Sequence, residues 1–322
     1  MLDLLLQKCA SLPSRTKRGI CFFFALAILA AAHSASAQTV PKRPRIFGIR
    51  HVRILVTDLS KSNEFYSNVL RPEARSGSSG SSCVWCEKIP EGTSIGFLFQ
   101  QIELEPTILK PPANRIDEIA FLTGNAAELR TYLLANRVET GTLAKCDGDP
   151  CFSVQDPEGH RIVFAQRARR TRVSHYTRKP HRLIHVGFVV RDQAAEDHFY
   201  KDILGFRPYW HGGMKDDETN WASLQVPDGS DWVEYMLNVP PDADKHLLGI
   251  MNHVALGVRD IQSTLKVLIE NGLVPNEQPK IGRDGKWQLN LYDPDQTRIE
   301  FMEFTPVQKP CCSEFTAPHP KS

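Results

Sequence analysis

The sequence predicts an α+β protein built from four modules, each a strand, a helix and three further strands (βαβββ), paired into two domains. Three observations predict it: the chain repeats itself, each half divides again, and the units contain short runs rich in Val, Ile and Leu. Such runs are too short for a typical helix and indicate buried or half-buried strands. At 322 residues the chain is long enough for about two ordinary domains.

The two halves of the chain share one pattern. His51 lies in an apolar strand, and a Phe-Tyr pair begins 14 residues later at Phe65 (65 − 51 = 14). His185 lies in a similar strand, and a Phe-Tyr pair again begins 14 residues later at Phe199 (199 − 185 = 14). The halves are therefore offset by 134 residues (185 − 51 = 134). Such a repeat indicates a fold assembled from similar units.

Each half contains a second unit of the same kind. In the first half, a strand leads to a predicted helix over residues 126–136 and then to an Asp-Pro turn at Asp156. In the second half, the predicted helix spans residues 261–271, Gly272 ends it, and an Asp-Pro turn follows at Asp293. Four modules result, two in each half.

The repeat sets the expected domain boundaries. We expect an N-terminal domain over residues 46–166, a C-terminal domain over 183–305 and a disordered tail over 306–322. The basic stretch 167–182 is interpreted as a solvated linker, with a nucleic-acid-binding patch as the alternative. The formal net charge of +2 gives no general reason to expect nucleic-acid or membrane-surface binding.

The first 37 residues have the features of a signal peptide. A basic lead precedes the apolar stretch 20–32, and Ala35-Ser36-Ala37 then supplies an A-x-A cleavage site. We expect export to the periplasm or the extracellular space, a mature chain that begins near Gln38, and no stable membrane insertion after cleavage. An uncleaved N-terminal anchor is the alternative.

Export permits disulfide bonds between the cysteines of the mature chain. Cys146 and Cys151 flank a turn and could close on each other. Cys83 and Cys86 lie in an apparent strand, where side chains three apart face opposite ways, so a bond between them is not expected. A structural zinc site on these four cysteines is the alternative. The vicinal pair that begins at Cys311 falls in the Pro-rich tail.

The candidate functional residues are polar groups inside apolar strands. A His or Glu in such a place must be paired or bound, because leaving it bare is costly. Four strands of the second half carry one each: His185, Glu234, His253 and Glu300. Two imidazoles and two carboxylates suit one divalent metal ion, of which Zn, Ni, Mn and Fe remain open.

Further residues near these strands are candidates for contact with a small-molecule substrate. Gln288, Asn290 and Tyr292 alternate with leucines, so they face either the pocket or water. His211, in a predicted loop, is a further candidate acid or base. A homodimer is compatible with the sequence.

The modules, the Phe-Tyr helices, the Asp-Pro turns and the final Arg-Ile-Glu strand resemble the vicinal oxygen chelate superfamily over residues 46–305. This superfamily includes glyoxalase I, methylmalonyl-CoA epimerase, extradiol dioxygenases and fosfomycin-resistance proteins. The resemblance implies two vicinal-oxygen-chelate domains, each a cup of curved strands, with His185, Glu234, His253 and Glu300 as metal ligands. That set is most similar to glyoxalase I, whereas extradiol dioxygenases would use His185, His253 and Glu300.

The N-terminal half departs from the ligand pattern. His51 is present, but Gly96 or Phe97 is expected where Glu234 stands, Glu118 replaces the second His, and Val163 replaces the last Glu. We therefore expect the N-terminal cup to be metal-free.

Three functions are compatible with the resemblance. The first is an exported metal-dependent enzyme of the lyase or isomerase type, in which Glu234 or Glu300 acts as general base and the ion stabilises an anion on two adjacent substrate oxygens. The second is an Fe(II) ring-cleaving dioxygenase. The third is a non-catalytic binding or resistance protein, which usually lacks a complete ligand set.

Overall fold

The computed structural model describes residues 41–70, 102–106, 112–166 and 181–321. The predicted signal peptide, Cys83 and Cys86, and residues 167–180 of the predicted linker lie outside the described residues. In the described part of the chain, no helix is both long and apolar enough to cross a membrane.

The first sheet has six described strands. They are β1 (Ile46–Val56), β2 (Ile102–Pro106), β3 (Ile116–Thr123), β4 (Ala144–Cys146), β5 (Asp149–Gln155) and β6 (Arg161–Gln166). They lie side by side in the order β2-β1-β3-β6-β5-β4. β1 pairs parallel with β2 and antiparallel with β3, so the two modules of this sheet meet at the β1–β3 pair.

The second sheet has eight strands and contains two complete βαβββ modules. They are β7 (His181–Val189), β8 (Arg207–Gly212), β9 (Trp221–Gln225), β10 (Trp232–Met236), β11 (His253–Val258), β12 (Lys280–Ile281), β13 (Trp287–Tyr292) and β14 (Arg298–Glu303). Their order is β12-β13-β14-β11-β7-β10-β9-β8. The modules meet at the antiparallel pair β7–β11, as those of the first sheet meet at β1–β3. The two mixed sheets confirm the predicted α+β class.

A short helix follows the first strand of each module, and one further helix lies between β10 and β11. They are α1 (Leu59–Leu70), α2 (Ala126–Ala135), α3 (Gln193–Asp197) with its π-helical continuation (His198–Ile203), α4 (Lys245–Met251) and α5 (Ile261–Glu270). α2 and α5 each end one residue before the predicted end, because Asn136 and Asn271 are their C-caps. Asp192 and Asp260 cap the start of α3 and α5 by accepting a backbone N–H in the first turn.

The modules of the two sheets are joined crosswise by buried tyrosines. Tyr66 of the first module donates its hydroxyl to Asp293 of the fourth at 2.9 Å, and Tyr200 of the third donates to Asp156 of the second at 3.2 Å. Both tyrosines are completely buried. The tyrosine of each Phe-Tyr pair therefore contacts the aspartate of an Asp-Pro turn in the other half of the chain, and this contact occurs twice.

A disulfide joins Cys146 and Cys151 across the β4–β5 hairpin, which is the turn that the sequence indicated. In this state the two sulfurs are not free thiolates, so they do not supply the zinc site considered as the alternative.

The predicted disorder of the tail is wrong for residues 306–321, which pack along the second sheet. The backbone N–H of Thr316 donates to Tyr209 at 3.0 Å, and the indole of Trp210 donates to the carbonyl of Cys311 at 3.3 Å. Phe315 packs against the Tyr209 ring at 4.9 Å between centroids. The Pro-rich composition suggested a loose segment, but aromatic side chains anchor it. Cys311 and Cys312 are joined in a vicinal disulfide.

We expect Tyr66→Phe and Tyr200→Phe each to lower the free energy of unfolding by about 1–3 kcal/mol, because each removes one buried hydrogen bond to a carboxylate. Urea unfolding followed by circular dichroism measures the change. Tyr292→Phe is the matched control, since its half-buried hydroxyl contacts Glu277 where water can replace it. Equal losses in all three variants would contradict the crosswise contact.

Candidate metal centre

The pairing of four central strands places the candidate ligands on one face of the second sheet. One row across the sheet consists of Glu300, Ala255, His185 and Trp232. A second row consists of Arg298, His253, Gly187 and Glu234. The rows are two residues apart on every strand, and side chains two apart lie on the same face. The residues that interrupt the four apolar runs therefore meet at one point.

The structure brings all four predicted ligands together. The Nε2 atoms of His185 and His253 are 3.0 Å apart, and Glu300 Oε2 lies 3.5 Å from each of them. Glu234 Oε2 lies 3.8 Å from His253 Nε2. Both imidazoles are completely buried. The cluster thus offers two nitrogen and two carboxylate ligands at the bottom of the cup.

His253 presents the nitrogen that a metal ion needs. His253 Nδ1 lies 2.9 Å from the carbonyl oxygen of Met251, which can only accept, so Nδ1 carries the proton and Nε2 keeps its lone pair. Burial, with the charge of Arg298, lowers the pKa of His253 and favours the neutral ring. Neutral imidazole is the form that binds metal.

The two carboxylates differ in their surroundings. Burial alone would raise the pKa of Glu300, but contacts with His185 and His253 and the charge of Arg298 outweigh it and hold that pKa well below its ordinary value. Glu234 Oε1 accepts a hydrogen bond from the Ser223 hydroxyl at 3.0 Å, and its side chain remains 14% exposed. Glu300 is therefore a fixed anion, and Glu234 is the more accessible carboxylate.

A cavity of about 300 Å³ opens beside the cluster. This volume is at the lower end for small-molecule sites. Its walls are aromatic and charged: Tyr209, Trp210, Trp221, Trp232, Phe315, Arg283, Asp284, Lys286 and Arg298 line it together with Glu234 and Glu300. Phe315 belongs to the tail, so the ordered tail forms one wall of the cavity.

A buried lysine in this cavity was missed at the sequence level. Lys286 is completely buried, and its Nζ lies 4.7 Å from the centre of the Trp232 ring and 3.9 Å from Asp284. Burial lowers the pKa of Lys286, while it raises the pKa of Asp284 to about 6. The sequence pattern could have indicated it, because the alternation that places Gln288 and Asn290 on one face of the strand also places Lys286, two residues earlier, on that face.

The predicted substrate-lining residues separate into two groups. Gln288 and Asn290 line the cavity. Tyr292 is not part of the lining, because its hydroxyl donates to Glu277 at 2.9 Å. His211 is exposed and is not part of the lining either, because it follows the buried Trp210 and points to the opposite face of β8.

In the first sheet, the positions that correspond to the candidate ligands carry different side chains. Arg53 stands where Gly187 stands (187 − 53 = 134), and its guanidinium contacts Glu118 at 3.0 Å and Glu103 at 3.1 Å. The register places Glu103 opposite Arg53, so Glu103 is the counterpart of Glu234. The expectation of Gly96 or Phe97 at that position is wrong, because β2 begins later than the repeat suggested.

The carboxylates of the first cup are thus neutralised by arginine. Arg161, the counterpart of Arg298, also contacts Glu118, at 2.9 Å, and His51 Nε2 lies 2.9 Å from the same side chain. A guanidinium at Arg53 fills the space that glycine leaves open in the second cup. That the first cup is metal-free stays a prediction, and this pairing supports it.

Comparisons with known proteins agree with this architecture. Three solved structures of ring-cleaving dioxygenases each have a TM-score of 0.57 to this chain. A variant of homoprotocatechuate 2,3-dioxygenase from Brevibacterium fuscum shares 20% identity, over 87% of this chain and 74% of that one. The native enzyme from Arthrobacter globiformis shares 21%, over 82% and 81%. An extradiol ring-cleaving dioxygenase from B. fuscum shares 19%, over 86% and 76%.

At these identities the likeness shows the fold alone. No curated protein sequence matches the chain. Residues 182–301 match the model of the Glyoxalase/Bleomycin resistance protein/Dioxygenase superfamily, and this span contains all four candidate ligands. The C-terminal domain of the chain therefore belongs to the glyoxalase, bleomycin resistance protein and dioxygenase superfamily, which is the vicinal oxygen chelate superfamily.

Proposed function

We propose that this protein is a metal-dependent enzyme of the lyase or isomerase type, which binds a substrate through two adjacent oxygens in the C-terminal cup. The observation that carries the proposal is the cluster of His185, Glu234, His253 and Glu300 beside a cavity of about 300 Å³, which Glu234 and Glu300 line. A binding protein without catalysis would not need four converging ligands of which one is an accessible carboxylate.

The residues of the cluster fit a divalent ion. Two imidazole nitrogens lie 3.0 Å apart with a carboxylate oxygen of Glu300 3.5 Å from both, so one cation could bind all three atoms. Gly187 makes room for this arrangement, because a Cβ at that position would lie 2.0 Å from Cε1 of His253. Bound there, the ion would act as a Lewis acid that polarises the substrate oxygens.

The protein's own groups would move and balance charge. Glu234 is placed to take a proton from the substrate, since it is the accessible carboxylate and Ser223 orients it. Lys286 and Arg298 face the same cavity and would balance the negative charge that develops on the oxygens. Among the described residues, Nε of Arg298 is buried without a hydrogen-bond partner, so it is available to a substrate. The aromatic walls favour an apolar or aromatic substrate body.

A ring-cleaving dioxygenase is the second candidate, and one observation favours it. His185, His253 and Glu300 lie within 3.5 Å of one another, while Glu234 is farther away, at 3.8 Å from His253 and within 4.8 Å of His185. Two His and one carboxylate with open positions are typical of non-haem Fe(II) oxygenases. In that case Glu234 would not be needed as a ligand.

Export is a separate part of the proposal. The disulfide between Cys146 and Cys151 supports it, because disulfides persist in oxidising compartments. The test is the N-terminal residue of the protein recovered from the producing cells. Mass spectrometry is expected to find Gln38 or a close neighbour at the N-terminus, and an intact leader would contradict cleavage.

We expect one divalent ion per chain to occupy the cup and His253→Ala to abolish its binding there. Gly187→Ala should weaken binding at least tenfold, because the added methyl group displaces the His253 ring. Elemental analysis and metal titration measure both effects. Gly124→Ala is the control, since its Cβ would meet only ordinary contacts at 3.7 Å or more. If reconstituted protein holds no metal in the cup, the enzyme proposal fails.

The Glu234→Gln variant separates the two candidate reactions. In a lyase or isomerase that uses Glu234 as base, we expect kcat to fall at least 100-fold, which is the usual contribution of a general base. In a dioxygenase, the native protein loaded with Fe(II) should consume oxygen with catechol, and the variant should keep most of that activity. Oxygen-electrode traces with catechol, and an isomerisation or elimination assay on substrates with two adjacent oxygens, distinguish the two reactions on the same preparations.

A further inference from the structure

A second cluster of metal-binding side chains lies where the two sheets meet. Asp156 and His160 belong to the turn between β5 and β6, and Glu196 belongs to α3. One ligand atom from each lies within 4.8 Å of the other two, and His160 Nδ1 is 2.8 Å from Asp156 Oδ2. None of the three lines the cavity of the C-terminal cup.

The cluster holds two buried carboxyl groups, and one of their oxygens has no hydrogen-bond partner among the described residues. Glu196 is completely buried, and its Oε1 accepts the backbone N–H of Glu158 at 3.0 Å. Its Oε2 is buried with no hydrogen-bond partner among the described residues. In the same part of the chain, no Lys or Arg forms a salt bridge with Asp156 or Glu196. Two buried carboxylates side by side need a cation or a proton between them.

The groups around the cluster do not supply that charge. Tyr200 donates its hydroxyl to Asp156, and the Tyr235 hydroxyl is buried nearby without a partner among the described residues. Asp197, next to Glu196, is already paired with Lys201. Burial, reinforced by the charge of Asp156, raises the pKa of Glu196 to about 8.

The internal repeat provides a counterpart that lacks the ligands. Tyr66 and Ser62 correspond to Tyr200 and Glu196 (200 − 66 = 134 and 196 − 62 = 134). Asp293 and Thr297 correspond to Asp156 and His160 (293 − 156 = 137 and 297 − 160 = 137).

The backbone of the two turns is the same. His160 N–H donates to Asp156 Oδ1 at 2.7 Å, and Thr297 N–H donates to Asp293 Oδ1 at 2.8 Å. The turn and the tyrosine contact therefore need no His and no Glu. These two side chains are additions to a structural element that forms without them.

We propose that Asp156, His160 and Glu196 bind a second divalent metal ion, which links the two sheets. Two carboxylates and one imidazole are ligands that Zn²⁺ and related ions accept, with a fourth position open to water or to the Tyr200 hydroxyl. The ion neutralises Asp156 and Glu196 and provides the missing partner for Oε2. This site is independent of the function proposed for the cup.

Zinc titration of the chelator-treated, full mature chain tests the site. In the His253→Ala background, where the cup is disabled, we expect one zinc per chain to bind and to raise Tm as its concentration increases. Adding Glu196→Gln removes a ligand but keeps the shape, and should reduce this binding at least 100-fold. The pair His160→Thr with Glu196→Ser copies the counterpart residues, so it should fold and bind no zinc at this place.

The alternative is a buried Glu196 that is simply protonated. In that case Glu196→Gln would leave zinc binding and Tm unchanged, since an amide replaces a neutral acid of the same shape. Absence of zinc binding to the His253→Ala protein would also overturn the proposal. Failure of the cup to bind metal would overturn the function proposed for the cup but not this second site. The two results are distinguishable because the His253→Ala variant reports only zinc bound outside the cup.

Discussion

The register between β7 and β11 is the constraint on which the candidate site depends. It sets His185 opposite Ala255 and His253 opposite Gly187, so each imidazole faces a small residue on the neighbouring strand. A slip of one residue would turn every ligand to the other face of the sheet. The chemistry of the cup is therefore fixed by backbone pairing, and it does not require a specialised loop.

The same frame carries two different cups. In the first sheet the position of Gly187 is taken by Arg53, which brings a permanent positive charge between Glu103 and Glu118. In the second sheet that position is a glycine, and the ring of His253 from the neighbouring strand occupies the space beside it. The exchange of Gly187 for Arg53, together with Glu118 in place of His253 and Val163 in place of Glu300, separates a cup that is internally neutralised from one that offers a set of metal ligands.

The repeat made the fold and the four ligands predictable, because each ligand interrupts an apolar run at a matched place. Lys286 was missed because a lysine at the start of a strand is usually solvated and almost never fully buried. Glu103 was missed because residues 71–101 carry no periodicity that positions β2. The meeting of His160 with Glu196 depends on crosswise packing of the modules, which local patterns do not report. The Pro-rich composition led to the wrong prediction that the tail is disordered. The tail is ordered because Phe315 and Trp210 pack between it and the second sheet.

Because of the tail, the positions of the ligands and the shape of the cavity can change independently during evolution. The four modules determine where the ligands stand, and any change to their register would disturb all of them at once. Phe315 comes from a segment outside the repeat, yet it forms a wall of the cavity. Sequence drift in this segment could reshape the cavity while the ligand rows stay intact. Related proteins that differ only in this segment would then accept different molecules at an unchanged centre.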